Sequence, residues 1–304
     1  MKTALITGVS GYLGGHVARR MLADGWRVVA LVRPGSQLTD DLDRQVTRAS
    51  YDGTLSSIQA AFASASVDVV VHLASAVVAN HRADQLDPIL DANIRLPTQL
   101  LEAMRAGSCK RFVNTGTFWQ YYNSDNYTPV NLYAATKQAF EDLALAYVEN
   151  DGLVFHTLVL FDTYGADDPR RKIMQLLINA IDASTPLALS PGDQVLDLSH
   201  VDDIADAFAS AVQRILTDNP GSWKKWRISG TRLPLKQLVE LVAQVATMPP
   251  NVALGALPYR DREIMIPIDR AIPVLPDWAP RYELVDYIRH MVVERKQSRL
   301  THEY

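Results

Sequence analysis

Two side chains with the spacing needed for proton transfer stand near the middle of the chain, Tyr133 and Lys137. Residues four apart in a helix share one face, so a helical segment here places the phenol beside the ammonium. A tyrosine has an ordinary pKa of about 10 and exchanges protons poorly at neutral pH. A neighbouring positive charge stabilises the phenolate and lowers that pKa. The pair predicts a catalytic acid/base, and Thr115 ends the predicted strand before it.

A glycine-rich turn near the start of the chain predicts a second functional element. It lies between an apolar run and a helical pattern. In such a turn one glycine allows the bend, one lets the backbone approach a pyrophosphate, and one lets the helix pack against the strand. The helix then offers free N–H groups and a partial positive charge. We therefore expect a dinucleotide site that includes Thr7, Gly8, Ser10, Gly11, Tyr12, Leu13 and Gly14.

The end of the second predicted strand indicates which dinucleotide binds. NAD sites usually place an acid there, on the ribose hydroxyls, but this chain reads Leu31-Val32-Arg33-Pro34. Arg33 can pair with a 2′-phosphate and Ser36 can add a hydrogen bond, which favours NADP(H). Asp52, after the next presumed strand, is a candidate for the adenine amino group, and a plain helix cap fits it nearly as well.

Composition excludes several other classes of function. The 304 residues carry 30 Lys and Arg against 34 Asp and Glu, a net charge of −4, whereas a general nucleic-acid binder shows a basic excess. A single cysteine, Cys109, leaves no intramolecular disulfide or cysteine-based metal cluster, and the histidines lack metal-ligand spacing. No apolar stretch reaches the length of a membrane span or signal peptide. We expect a cytoplasmic protein without a metal, a nucleic-acid partner or a membrane partner.

The elements that must position these residues are short apolar runs alternating with helical patterns. Runs such as residues 27–32 and 67–73 are nearly continuous in apolar residues, which is typical of parallel strands covered on both faces. We therefore expect an α/β fold, a Rossmann doubly wound parallel sheet with a smaller C-terminal substrate lobe. The predicted Rossmann domain comprises residues 1–165 with 196–217 returning to it, and the lobe comprises 166–195 and 218–304.

Together these features resemble the extended short-chain dehydrogenase/reductase superfamily, in its NAD-dependent epimerase/dehydratase branch, over nearly the whole chain. Further matches are Val71-His72-Leu73-Ala74-Ser75 and Leu198-Ser199-His200-Val201-Asp202-Asp203-Ile204. The resemblance implies that Tyr133 is the acid/base, that Lys137 holds the nicotinamide ribose and lowers the tyrosine pKa, and that Thr115 hydrogen-bonds the reacting oxygen. It also implies cofactor contacts from Leu73, Ala74, Ser75, Asn93 and Leu160.

Departures from the family pattern reduce the number of reactions that this chain could catalyse. The 4,6-dehydratases of the family carry Thr-Asp-Glu at the end of the catalytic strand, whereas this chain reads Thr115-Gly116-Thr117. Neither Gly nor Thr can replace those carboxyl groups. Segments 115–120, 131–141 and 160–170 resemble the CDP-abequose and CDP-paratose synthase group. With Arg33 favouring NADPH, this resemblance implies a 4-ketoreductase of a CDP- or dTDP-linked 4-keto-6-deoxyhexose, in deoxysugar biosynthesis.

Three other interpretations stay open on the sequence. A nucleotide-sugar C4 epimerase would retain NAD, against which Arg33 argues. A reductase of a non-nucleotide carbonyl shares the Arg33-Pro34 feature but not the 161–170 segment. An inactive NADPH sensor would not need the intact acid/base pair.

Substrate contacts are predicted on the segment that follows the catalytic strand. Thr117, Trp119 and Gln120 offer aromatic and polar groups that suit a deoxysugar. Packing of the rings in the core explains this cluster about as well.

A second set of substrate contacts is predicted after the sixth strand. Asp162 stands where the family often has Asn near the sugar pyrophosphate, and phosphates repel a carboxylate unless a cation intervenes. Arg170, Arg171 and Lys172 can neutralise the pyrophosphate or form an exposed charged run. The resemblance also implies a nucleotide-sugar partner and a homodimer.

Overall fold

A computed structural model describes residues 1–268, 270 and 272–300 of the chain. Strands are numbered in chain order: β1 (Thr3–Thr7), β2 (Arg27–Val32), β3 (Thr47–Ser50), β4 (Val69–His72), β5 (Arg111–Thr117), β6 (Val154–Leu160), β7 (Asp162–Tyr164), β8 (Leu187–Leu189), β9 (Val195–His200), β10 (Trp223–Ile228), β11 (Thr231–Pro234) and β12 (Val252–Leu254).

Helices are numbered in the same way: α1 (Tyr12–Ala23), α2 (Asp40–Gln45), α3 (Leu55–Ser64), α4 (Leu86–Leu90), α5 (Leu96–Ala106), α6 (Leu132–Asp151), α7 (Ile173–Ala180), α8 (Val201–Ile215), α9 (Leu235–Ala246) and α10 (Leu284–Leu300). One π-helical turn, Asp91–Arg95, joins α4 to α5, so residues 86–106 form one continuous helical segment.

The main sheet is parallel and, within the described residues, has seven strands in the order β10-β6-β5-β4-β1-β2-β3. Side chains of a strand point alternately to its two faces. Ala4 and Ile6 accordingly pack in one hydrophobic cluster, with α1 and α8, while Leu5 packs in the other, with α3, α5 and α6. Helices therefore cover both faces, and the expected α/β Rossmann fold is confirmed.

The C-terminal part adds a smaller body. Strand β9 pairs antiparallel with β11 and parallel with β7, and β12 pairs with β8. Helices α7, α9 and α10 enclose a separate hydrophobic cluster. One expectation was wrong here: residues 218–304 were assigned to the lobe, yet β10 is the edge strand of the main sheet, beside β6.

The order of the strands determines where a site can form. The chain winds outward from β1 through β2 and β3, and from β4 through β5 and β6. Ligands of such sheets bind at the carboxyl ends of the strands, where the winding reverses between β1 and β4. Among the described residues, no helix is long and apolar enough to cross a membrane.

Candidate active site

The glycine-rich turn between β1 and α1 leaves no room for side chains at two positions. Gly8 has φ +77°, and a Cβ there would lie 2.7 Å from the Ala74 nitrogen. A Cβ on Gly14 would lie 2.0 Å from the Gly8 carbonyl oxygen. Gly11 precedes α1 and places no side chain over the first helical N–H groups. The turn thus presents bare backbone at a helix N-terminus, which fits a pyrophosphate.

The turn is joined to the end of β4 by Thr7. The buried Thr7 hydroxyl bonds His72 Nδ1 at 2.8 Å and accepts hydrogen bonds from the Leu73 and Ala74 amides at 3.2 and 3.1 Å. Thr7 is therefore engaged in holding two strand ends together.

The remaining residues predicted for the turn differ in exposure. Ser10 is exposed, and Leu13 packs against the core. The Tyr12 hydroxyl is buried without a hydrogen-bond partner.

The residues predicted for the adenosine end lie on exposed loops. Arg33 follows β2, and the Ser36 amide donates to the Arg33 carbonyl at 3.1 Å. The Arg33 side chain is exposed and Ser36 is half-buried, so Arg33 is the one of the two that is free to meet a ligand from solvent. Asp52 instead accepts hydrogen bonds from the amide and hydroxyl of Thr54, the N-cap of α3, at 3.0 and 2.6 Å. Its capping of this turn is the alternative weighed from the sequence.

Tyr133 and Lys137 lie on α6, which begins at a capped end. The Asn131 side chain accepts a hydrogen bond from the Ala134 amide at 3.0 Å and donates one to the Ala79 carbonyl at 3.0 Å. Tyr133 and Lys137 are 7% and 1% exposed, so the helix turns this face inward, toward the sheet.

The Tyr133 hydroxyl lies within hydrogen-bonding reach of the Thr117 and Ser75 side chains. Burial raises the pKa of Tyr133 to about 12, and the hydrogen bonds from Thr117 and Ser75 offset only part of that rise. Lys137 is not among the groups that lower the pKa of Tyr133, so the lowering expected from it is not found in this structure. Burial likewise lowers the pKa of Lys137 to about 8, against the opposing charge of Glu141.

Thr115 is not the hydroxyl that meets Tyr133. Its Oγ1 donates to the His72 carbonyl at 2.8 Å and so joins β5 to β4. Strand β5 runs two residues further than predicted, to Thr117, and a turn follows at once. Thr117, which was predicted to contact substrate, is therefore the last residue of β5, and its hydroxyl is the one that faces Tyr133.

Asn93 and Ser75 form a support beneath this site. Asn93 Oδ1 accepts hydrogen bonds from the Ser75 hydroxyl and the Ala76 amide, both at 2.9 Å. Asn93 Nδ2 donates to the Ala76 carbonyl at 3.1 Å and to Thr136 Oγ1 at 3.0 Å. Asn93 is fully occupied in holding the loop after β4, so its predicted cofactor contact is replaced by a positioning contact.

Two of the residues predicted for the substrate side belong elsewhere. Gln120 is fully buried and bonds other protein groups. Arg170 binds Asp168 through two nitrogens, at 2.7 and 2.8 Å, and its guanidinium lies 4.8 Å from the centre of the Tyr12 ring. Arg170 therefore covers the glycine-rich turn.

Trp119 lies beside Tyr133, and Asp162 lies on β7, which pairs with β9 of the smaller body. The Trp119 ring meets the Tyr133 ring edge-on at 6.0 Å. Burial raises the pKa of Asp162 to about 6, while the charges of Lys172 and Arg260 oppose the rise and that of Asp197 adds to it. Arg260 was not predicted, since it lies about a hundred positions from Asp162 in the sequence.

The other predicted residues add little to this geometry. Arg171 is exposed, and Leu160 is the buried last residue of β6. Cys109 is buried, and burial raises the pKa of its thiol to about 11, so it stays a thiol. Among the described residues, no group of His, Cys, Asp and Glu side chains could hold a metal ion.

Comparison with known proteins defines the class. The model of the NAD dependent epimerase/dehydratase family matches residues 4–223. The chain belongs to this family, within the extended short-chain dehydrogenases/reductases, and an NAD(P) cofactor is typical of it.

Individual members of the family match this chain over most of its length but share few identical residues with it. CDP-abequose synthase of Yersinia pseudotuberculosis is 27% identical over 268 residues, which cover 86% of this chain and 90% of that protein. MoeE5, solved in complex with UDP-glucuronic acid and NAD, is similar with a TM-score of 0.79 at 22% identity, over 97% of this chain and 99% of that one. UDP-glucose 4-epimerase of Thermotoga maritima has a TM-score of 0.80 at 18% identity, with the same coverage.

Proposed function

We propose that this protein is an NADPH-dependent 4-ketoreductase of a nucleotide-activated 4-keto-6-deoxyhexose, linked to CDP or dTDP. The observation that carries the proposal is the buried Tyr133, whose hydroxyl faces the Thr117 and Ser75 side chains and which lies one helical turn before the buried Lys137. With a pKa of about 12, Tyr133 keeps its proton at neutral pH. It therefore begins the reaction as an acid, as a carbonyl reduction requires.

The cofactor site fits a phosphorylated dinucleotide. Bare backbone at Gly8 and Gly14 would cradle the pyrophosphate, and the exposed Arg33, with the half-buried Ser36 beside it, would meet a 2′-phosphate. When bound, the reduced nicotinamide supplies the hydride that reaches C4 of the sugar. Arg170 lies over Tyr12 beside the same turn, with its charge paired to Asp168.

The chain's own residues handle the proton. Tyr133 donates its proton to the oxygen at C4 as negative charge develops there. Thr117 donates a hydrogen bond to this oxygen, which lowers the energy of the charged state, while Ser75, whose proton is given to Asn93, can only accept. Lys137, whose pKa is about 8, is mostly cationic at neutral pH and lies one helical turn after Tyr133, so its charge would act on the phenolate once the phenolate has formed. The product leaves as the C4 alcohol, and solvent returns the proton to Tyr133.

The substrate's two ends are assigned from charge and shape. The ring of Trp119, edge-on to Tyr133, would face the apolar side of the deoxysugar. Lys172 and Arg260 bring positive charge to Asp162, so that a pyrophosphate can lie near this carboxylate. The similarity to CDP-abequose synthase supports a nucleotide-linked sugar. With Thr117 as the hydroxyl residue beside Tyr133, the two positions that follow it are Phe118 and Trp119, and neither carries the carboxyl group that a dehydratase needs there, which argues against dehydration.

The same helices offer a surface for a second copy of the chain. A groove between α4, the π-helical turn and α6 is lined by apolar residues. Leu90 and Leu143 at this groove are 38% and 41% exposed. Exposed apolar patches of this kind mark association sites, so we place a homodimer interface here.

The direct test measures NADPH oxidation with freshly generated CDP- and dTDP-linked 4-keto-6-deoxyglucose, each beside its 3-deoxy analogue. Consumption with one nucleotide supports the proposal and identifies the activated sugar. Tight NADPH binding without consumption of any substrate would contradict it, and would favour a non-nucleotide carbonyl or a sensor. Protein that is purified with bound NAD, and interconverts C4 epimers without net oxidation, would instead be an epimerase.

A further inference from the structure

A buried ion pair lies behind the catalytic face of α6. Glu141 on α6 is 1% exposed, and its Oε2 lies 2.5 Å from Nζ of Lys225, which is on β10. Lys225 also donates to the Tyr121 hydroxyl at 3.0 Å. Burial alone would lower the pKa of Lys225, but Glu141 and Tyr121 raise it above its ordinary value. Burying two charges is costly unless they are paired, so this pair holds a defined geometry.

The pair extends to Thr117 through one amide side chain. Gln120 Nε2 donates to Glu141 Oε1 at 3.2 Å and to Gln138 Oε1 at 2.9 Å. Gln120 Oε1 accepts a hydrogen bond from the Thr117 amide at 3.0 Å. The turn after β5, which aims the Thr117 hydroxyl at Tyr133, is thereby tied to Glu141.

The pair also determines the charge beside Lys137. Glu141 lies one helical turn after Lys137, on the same face, and its negative charge favours the ammonium form of Lys137. The other titratable groups that face Lys137 are Tyr133 on the same helix and His72 on β4. Burial, and then the charge of Lys137, hold the pKa of His72 well below its ordinary value, so His72 is neutral.

We propose that Lys225 is a positioning residue of the active site, acting through Glu141 on the charge of Lys137 and on the placement of Thr117. This inference rests on the proposed function, in which Lys137 and Thr117 serve Tyr133. Lys225 offsets part of the charge of Glu141, so Lys137 meets a carboxylate whose negative charge is reduced but not cancelled. The two members of the pair therefore act on Lys137 in opposite directions.

The test is the titration of Lys137 in the full chain, followed by NMR of lysine labelled with 13C at Cε. The chain has eight lysines, and loss of one signal in Lys137→Arg identifies the resonance. In Glu141→Gln the ammonium loses its counter-charge, and the Lys137 midpoint should fall by about one pH unit or more. In Lys225→Met the carboxylate is left unbalanced, and the midpoint should rise by a similar amount.

A matched control and a rescue complete the design. Lys224→Met removes the neighbouring lysine of β10, which binds Asp218 at 2.7 Å, and should leave the Lys137 midpoint in place. Lys225→Arg keeps the charge and should restore the original midpoint. If Lys225→Met fails to fold, the double variant Glu141→Gln/Lys225→Met can replace it, because it leaves no unpaired buried charge. Its Lys137 midpoint should lie between those of Glu141→Gln and the unaltered chain.

The proposal is overturned if the two charge-removing variants leave the midpoint unchanged, or move it in the same direction. It is also overturned if Lys224→Met moves the midpoint as far as Lys225→Met does. For the double variant, a midpoint at or below that of Glu141→Gln overturns it. The titration needs neither cofactor nor substrate, so a failure of the reductase assay and a failure of this inference are separate results.

Discussion

Thr117, and not Thr115, supplies the hydroxyl beside Tyr133, and this difference can be tested by replacing each threonine. Replacing Thr117 with Val removes the hydroxyl beside Tyr133 while keeping nearly the same shape. Thr117 is 7% exposed, so water cannot easily take the place of the lost hydroxyl. Loss of one hydrogen-bond donor to a developing oxyanion lowers turnover by about 100- to 1000-fold. Because Ser75 also reaches Tyr133, we expect about 100-fold, or about 2.7 kcal/mol.

Thr115→Val is the matched control. Thr115 lies two residues earlier on β5 and donates to the His72 carbonyl. Its loss should lower the free energy of unfolding by about 1 kcal/mol, the contribution of one hydrogen bond. Turnover should change little, since this hydroxyl is already committed to the neighbouring strand.

The assay compares kcat for both variants under saturating NADPH and substrate, together with urea unfolding of each. The reasoning is refuted if Thr115→Val loses turnover as severely as Thr117→Val. It is also refuted if Thr117→Val keeps full turnover while its fold and its NADPH affinity are intact.

Four further outcomes are expected. Tyr133→Phe should leave the Kd for NADPH nearly intact and lower kcat by about 100- to 10,000-fold; normal turnover would remove Tyr133 from the mechanism. Arg33→Asp should shift the ratio of kcat/KM values from NADPH toward NADH, and an unchanged ratio would contradict the 2′-phosphate contact. Asp162→Asn should stabilise the chain at pH 7.5 by about 1–3 kcal/mol in urea unfolding. The folded-state pKa of about 6 lies above the unfolded value, so the ionised carboxylate destabilises above pH 6, and the gain should vanish below about pH 4. If the chain forms the proposed homodimer, Leu143→Asp should convert it to monomer in sedimentation analysis; a dimer that persists in this variant would contradict the proposed interface.

The local features of the fold could be predicted from the sequence because short-range rules fix them. The glycine-rich turn follows from steric limits at Gly8 and Gly14, and the buried strands follow from continuous apolar runs such as β2. The segment that carries Tyr133 and Lys137 is helical, as their spacing predicted. These patterns need no knowledge of distant partners.

Features that depend on tertiary partners could not be predicted in the same way. Thr115 and Thr117 lie on the same side of β5, and only the position of the strand end relative to α6 decides which of them meets Tyr133. Strand β10 carries Lys224 and Lys225 and lacks an apolar alternation, so its place in the main sheet depends on pairing with β6. The spacing of Glu141 eight residues after Tyr133 was the one available signal for the buried pair.

In the proposed reaction, hydride is transferred from the cofactor to C4 of the sugar and stays there. The most direct measurement uses NADPH carrying deuterium at the transferred position, with NMR of the product from the nucleotide-linked 4-keto-6-deoxyhexose that is turned over. The account predicts deuterium at C4 in one stereochemical sense, with one NADPH oxidised for each product molecule. Product without deuterium at C4, or a change at C4 without net oxidation of NADPH, would contradict it.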